Sequence, residues 1–354
     1  MGPAENERGG AAPDRRARPV IVTGAAGFVG SHLVRALIHA GRRVVATDAA
    51  PRFPDDRLRG LDSRSLDFVS IDLLSPSLVA ELVAASGGTA DVVHVAAVIR
   101  LGQLDAALHG DAADPGAALH SFAVNAGATW SLCAGLAGAG ALGRFVHVST
   151  RSVFGGRPAT EQFIDESTPP QPAGIYGSSK AAAEYGLLAL RDELALDLVV
   201  ARITGVFGPW QGPASFIGRA VDDVIAGRPH RTPTGGDDAY ELTYVKDTVR
   251  GIVQLIEADR LDSPTYHVAS GQRLIALREV AAAIACADPA ADVDFGPGAH
   301  AGSGGRTPLS TARAAGELGF ATRWSLDDAI ADYLRIERGG PYGAEALDEP
   351  WLPQ

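Results

Sequence analysis

The stretch Val20-Ile21-Val22-Thr23-Gly24-Ala25-Ala26-Gly27-Phe28-Val29-Gly30 decides the fold. Its apolar opening suits a central parallel strand covered on both faces. Gly24, Gly27 and Gly30 then make a turn in which backbone amides approach a ligand without Cβ obstruction. A helix starting near Phe28 aims its positive end at the same place. Such an arrangement accommodates the pyrophosphate of a dinucleotide. The spacing is G-x-x-G-x-x-G, not G-x-G-x-x-G. Glycine triplets are weak in a chain with 42 glycines; the strand before, the helix after and an acid at Asp48 give this one meaning.

Outward from this turn, strand and helix patterns alternate. Helix is expected over residues 28–40, stopped by Gly41, then strands at 44–47 and 68–71 and a helix at 75–85. Strands at 91–95 and 144–149 flank an Ala-rich helix at 125–138. A helix at 176–194 leads into a strand at 198–202. This rhythm predicts an α/β fold with a doubly wound parallel sheet over residues 19–205. Past Phe207 the pattern loosens into a smaller C-terminal substrate lobe, residues 206–338, with some strands returning to the main sheet. Residues 1–18 and 339–354 read as tails.

The chain has 354 residues and a net charge of −11, which argues against a nucleic-acid partner. No apolar run reaches the ~20 residues of a membrane span, and residues 1–18 lack the apolar core of a signal peptide. Cys133 and Cys286 sit in apolar stretches without metal-ligand spacing, so both are expected as buried thiols in a reducing cytoplasm.

Asp48 ends the second strand, 24 residues after Gly24. A carboxylate there accepts the ribose hydroxyls of an adenosine and repels a 2′-phosphate, favouring NAD over NADP. Arg52 nearby keeps the alternative open. Asp72, followed by Leu73, either touches the adenine edge or caps the next helix. Tyr176 and Lys180 are four apart and share a helix face. Ser149-Thr150 ends a strand at the carboxyl edge, where open α/β sheets bind ligands. A hydroxyl, a phenol and an ammonium make a proton-handling set, in which the cation is expected to lower the phenol pKa from about 10 towards neutrality.

In this order, these residues resemble the extended short-chain dehydrogenase/reductase family, the NAD-dependent sugar epimerases and dehydratases of the UDP-glucose 4-epimerase kind. The resemblance spans roughly residues 19–335. It rests on the glycine turn, His94-Val95-Ala96-Ala97, Asn125, Ser149-Thr150 with Val153-Phe154-Gly155, Tyr176-x-x-x-Lys180, Arg202 with Gly208-Pro209, and Tyr244-Val245-Lys246-Asp247. It implies a catalytic Thr150/Tyr176/Lys180 set, NAD as cofactor with contacts at Ala96 and Ala97, and a substrate-selecting C-terminal lobe. It also implies a homodimer formed through the helices at 125–138 and 176–194. Other matched residues have plainer expected parts. Asn125 either contacts the cofactor or only stitches the helix start to a neighbouring loop, Asp247 is expected to cap a helix at 248–258, and His94 to be a strand residue, not an acid/base group or metal ligand.

Two departures narrow the reaction. The family's 4,6-dehydratases carry Asp-Glu after the catalytic Thr, and uronate decarboxylases a Glu in the second slot; here Arg151 and Ser152 stand there, which disfavours both reactions. Nucleotide-sugar epimerases commonly place an Arg four residues before the Tyr of Tyr-Val-x-Asp, to hold the diphosphate. Here that residue is Tyr240, a phenol without the bidentate charged grip. Arg306 is a candidate phosphate ligand with different spacing, and 100–121 a candidate lid. The readings are an NAD-dependent epimerase of a (nucleotide) sugar through a transient ketone, a dehydrogenase or reductase of a sugar, sugar acid or other secondary alcohol, and a non-catalytic NAD-sensing protein.

Overall fold

A computed structural model describes residues 15–99, 115–155, 162–271, 273–300 and 307–342. Seven parallel strands form the central sheet: β1 (Val20–Thr23), β2 (Val44–Asp48), β3 (Leu66–Ser70), β4 (Ala90–His94), β5 (Leu142–Thr150), β6 (Leu198–Ile203) and β11 (Thr265–Val268). Their spatial order is β3-β2-β1-β4-β5-β6-β11. The chain therefore reverses direction across the sheet between β1 and β4, and a crevice opens at their carboxyl ends. Strands β1 and β4 are buried along their whole length, as continuous apolar runs under helices on both faces require. Strand β3, on the edge, is only partly covered.

One face is covered by α1 (Phe28–His39) and, later in the chain, by Val245–Glu257. The other is covered by α2 (Leu78–Ser86) and two longer helical segments. The first of these departs from expectation. Helix α3 (Pro115–Phe122) runs through a π-helical turn, Ala123–Ala128, into α4 (Thr129–Gly138). The second, α5, spans Gly174–Leu194.

After β6 the chain makes β7 (Gly205–Phe207), α6 (Phe216–Ile225), β8 (His230–Arg231), β9 (Ala239–Tyr240) and β10 (Leu242–Tyr244). Helix α7 (Val245–Glu257) then leads into β11, which rejoins the main sheet beside β6. The remaining elements are β12 (Ile275–Ala276), α8 (Leu277–Ala287), β13 (Val293–Asp294), α9 (Ala312–Leu318) and α10 (Leu326–Glu337). Pairings β7–β10, β9–β12 and β8–β13 build the C-terminal lobe.

Several local expectations are corrected. Asp247 caps nothing: helix α7 starts at Val245 because Tyr244 turns directly from strand to helix. Its carboxylate instead accepts from Arg323 N and Trp324 N (3.0 and 3.1 Å) and pairs with Arg250 at 2.8 Å. Cys133 is buried, but Cys286 is exposed on α8. Within the expected tails, Arg15–Ala17 form a 3-10 turn in which Arg15 meets Asp197 at 3.0 Å. Tyr342 packs against Trp210 with ring centroids 5.1 Å apart and bonds to His32.

Candidate active site

The glycine turn is tight because two elements press on it. A Cβ at Gly30 would lie 2.0 Å from Gly24 O, so α1 sits directly against the turn. Gly24 has φ +66°, and a Cβ there would lie 2.7 Å from Ala96 Cα, so the turn packs on the end of β4. Helix α1 begins from Gly27 with no side-chain cap. Its first-turn amides therefore remain available to an anion. Phe28 and Val29 open the helix, partly buried against the core.

Asp48, at the end of β2, accepts from Ala26 N and Ala50 N, each at 3.0 Å. The carboxylate thus tethers the glycine turn from the side where an adenosine ribose would lie in this fold. Arg52 is directed elsewhere; it is largely exposed and 3.6 Å from Asp55. Arg57 occupies the place instead. Its Nη1 donates to Ala26 O (2.7 Å), Gly27 O (3.1 Å) and Ser31 Oγ (3.2 Å). Sequence reasoning missed this arginine, which lies in a short 3-10 turn, Asp55–Leu58, between β2 and β3. Asp72 is exposed and accepts from Leu74 N at 2.8 Å, while the helix it was expected to cap starts only at Leu78. Leu73 rests on the cluster around Leu78 and Leu82.

Thr23, at the end of β1, receives Ala96 N at 3.3 Å and meets His94 Nδ1 at 2.8 Å. His94 Nε2 meets Thr129 Oγ1, also at 2.8 Å. Burial lowers this imidazole to about 3, so it is a neutral spacer inside the sheet. Asn125 sits in the π-helical turn and clasps the segment after β4 as expected. It accepts from Val98 N (2.8 Å), donates to Val98 O (2.9 Å) and reaches Ser179 Oγ on α5 (3.0 Å). Ala96 and Ala97 are thereby held at the crevice.

Thr150, Tyr176 and Lys180 converge at the carboxyl end of β5. The Thr150 hydroxyl lies within hydrogen-bonding reach of the Tyr176 phenol and 3.2 Å from Ser152 Oγ. Lys180 is buried and donates to Val148 O at 2.8 Å. One expectation fails here: the phenol is not lowered. Burial pushes Tyr176 up to about 12, against the favourable contact with Thr150. Burial also lowers Lys180 to about 7, partly offset by Glu184. Desolvation disfavours both charged forms and outweighs the contacts that favour them.

Glu184 was also missed, although Tyr176, Lys180 and Glu184 follow at four-residue spacing on one helix face. It accepts from Ser149 Oγ and pairs with Arg202 at 2.7 Å, both buried. This pins α5 to β5 and β6.

Beside Thr150, Arg151 donates through Nη2 to Thr307 O at 3.1 Å. Tyr240 lies in β9, its ring 6.3 Å from that of Phe216. Arg306 and residues 100–114 of the candidate lid lie outside the described residues; Pro115–Phe122 is helix α3. Among the described residues no group of three His, Cys, Asp or Glu is placed to hold a metal, and no helix is long and apolar enough to cross a membrane.

Comparison with known proteins agrees with this geometry. The family model described as "NAD dependent epimerase/dehydratase family" matches residues 20–269. A dTDP-glucose 4,6-dehydratase of Streptomyces niveus is 29% identical, over 94% of this chain and 96% of that protein. The solved structure of MoeE5 with UDP-glucuronic acid and NAD is 28% identical, with a TM-score of 0.72 covering 91% of this chain and 99% of the other. A UDP-N-acetylglucosamine 4-epimerase from Methanobrevibacter ruminantium shares the fold, with a TM-score of 0.76 at 20% identity over 92% and 99% of the two chains. The uncapped helix start and the glycine turn suit the NAD on which this family depends. The chain is a member of the NAD-dependent epimerase/dehydratase family, with the Rossmann architecture of the extended short-chain dehydrogenases/reductases.

Proposed function

We propose that this protein is an NAD-dependent epimerase of a nucleotide-linked sugar, acting through a transient ketone. The carrying observation is the pair after Thr150. Arg151 is tied to Thr307 O and Ser152 turns its hydroxyl to Thr150. Neither supplies the acid and base needed to remove water from a sugar, so the reading departs from the dehydratase names of several sequence relatives.

Bound NAD would supply the hydride acceptor and donor, and its oxidised ring a positive charge favouring an ionised phenol. In this reading Thr150 holds the substrate oxygen. Tyr176 accepts the hydroxyl proton as the carbinol carbon is oxidised and returns it when the ketone is reduced on its other face. Lys180, fixed by the Val148 carbonyl, keeps donor capacity beneath the phenol. Asp48 and Ala96–Ala97 line the cofactor crevice.

A second reading is favoured by Tyr240, which lacks the guanidinium charge for a diphosphate: a dehydrogenase of an uncharged or carboxylated sugar. Incubation of the protein and excess free NAD with UDP-glucose, UDP-glucuronic acid, dTDP-glucose, glucose and glucuronic acid separates the readings. Epimerisation gives an isomer of unchanged mass with no net NADH. Steady NADH formation would establish the dehydrogenase, and a product lighter by one water the dehydratase.

The homodimer is proposed as well, formed through α4 and α5. Supporting it, Tyr185 and Leu119 on this side are 57% and 73% exposed, and Trp130 and Phe122 are partly exposed. Light scattering on the full chain should give twice the monomer mass, and Tyr185→Glu should reduce it.

A further inference from the structure

The loop after β7 reaches back towards the glycine turn, through a cluster that the mechanism above does not use. Its centre is Trp210, which has φ +67°. A bulky side chain is rarely found there, so its surroundings must hold the residue in place. Glu337 on α10 accepts from Trp210 N at 2.6 Å. The indole stacks on His32 of α1 and on Tyr342, with ring centroids 4.5 and 5.1 Å apart. His32 also ties down the preceding residue. Pro209 O can only accept, so it takes the Nε2 hydrogen at 2.9 Å, and Nδ1 receives the Tyr342 hydroxyl.

Against this indole lies the Arg57 guanidinium, 5.6 Å from the ring centroid. Arg35, on α1, fixes the backbone that carries it, donating to Arg57 O and Arg59 O at 2.8 and 3.0 Å. Arg57 Nη1 in turn meets Ala26 O and Gly27 O. The C=O and N–H of one trans peptide point in opposite directions. A cation on these two carbonyls therefore aims the amides of Gly27 and Phe28 away from itself. It also polarises both peptides, which strengthens their N–H groups as donors. Gly27 N closes the turn on Gly24 O at 3.1 Å. Phe28 N opens α1, at the place suited to an anion.

We propose that Arg57 is a positioning residue for NAD: it sets and polarises the glycine turn, and Trp210 holds it there. Trp210 belongs to the C-terminal lobe, so the grip on the cofactor is tied to the packing of that lobe on α1. The inference goes beyond the epimerase reading, since it requires only that the chain binds NAD.

The test is calorimetric titration with NAD of the full chain, freed of any copurified nucleotide. Arg57→Met keeps an apolar stem beside the indole. It should raise the NAD dissociation constant roughly ten- to a hundred-fold, as loss of hydrogen bonds to a charged group does. Arg57→Lys, with a charge but no planar fork, should recover part of the loss. Trp210→Leu should weaken NAD roughly two- to five-fold, the scale of a cation–π contact. Combined with Arg57→Met, it should add nothing further. A scaffold role alone predicts that Arg57→Met lowers the Tm and leaves NAD affinity intact, and that result overturns the proposal. Equal factors for Trp210→Leu with and without Arg57 would overturn the link to the loop. Should Arg57→Met not fold, unchanged NAD affinity in Arg57→Lys and Trp210→Leu overturns both parts.

Discussion

Tyr176 and Lys180 show what burial does to a proton-handling pair. In the protein alone the phenol is held at about 12 and the amine at about 7. Ionisation of Tyr176 thus depends on charge arriving from outside the chain. Tyr176→Phe removes the transferable proton but little volume, so turnover should vanish while NAD affinity persists. Full activity in that variant would discard the assignment. Lys180 also carries a pH signature. Its folded pKa lies below the ordinary lysine value, so the unfolded chain holds more protons above about pH 7 and stability rises with pH there. Below pH 7 the full penalty of burying the ammonium applies. Lys180→Met should therefore raise the Tm of the cofactor-free protein more at pH 6 than at pH 9. A gain independent of pH would contradict this account.

Among the elements, the helical segment 115–138 is the informative one. Its π-helical turn falls at Asn125, whose side chain satisfies both the N–H and the C=O of Val98. Widened turns of this kind are frequently found at functional sites. Here the turn clamps the segment after β4 that carries Ala96 and Ala97, and it touches α5 through Ser179. Asn125→Ala leaves the Val98 groups short of partners, a loss of about 1–3 kcal/mol by the usual penalty for buried polar groups. Urea unfolding should show that loss, with an accompanying rise in the NAD dissociation constant. Stability lost without any change in NAD binding would reduce Asn125 to scaffold alone.

Across the whole molecule, the amino end of the sheet is closed by a buried charge network. Arg42 pairs with Asp91 at 3.0 Å and with Glu257, all three nearly inaccessible. Asp91 also accepts Arg144 N at 2.9 Å. Arg144 reaches Asp197 at 2.9 Å and the carbonyls of Leu255 and Ala258 at the end of α7. This network joins β4, β5 and α7 at the end of the sheet opposite the candidate active site. Asp91→Ala would leave Arg42 only Glu257 and the Arg18 carbonyl as partners and strip Arg144 N of its acceptor; removing one partner from a buried ionic network typically costs about 3–5 kcal/mol. Denaturant midpoints should fall accordingly, with the NAD dissociation constant of the remaining folded protein unchanged. A loss below about 1 kcal/mol would show that water or another carboxylate takes over.

Much of this was legible without coordinates, because local chemistry was sufficient. The run of Val20–Val22 into three glycines, with Asp48 a strand later, needs only steric and hydrogen-bonding arguments to become a dinucleotide crevice. The four-residue step from Tyr176 to Lys180 likewise puts both on one helix face. Tertiary packing decided the rest. Arg57 on the glycine turn, Glu184 between Ser149 and Arg202, and Trp210 against Arg57 belong to contacts whose partners are set by fold closure. The phenol's pKa is of the same kind: a neighbouring lysine is visible in sequence spacing, but the desolvation that raises the phenol exists only once the helix is buried against the sheet.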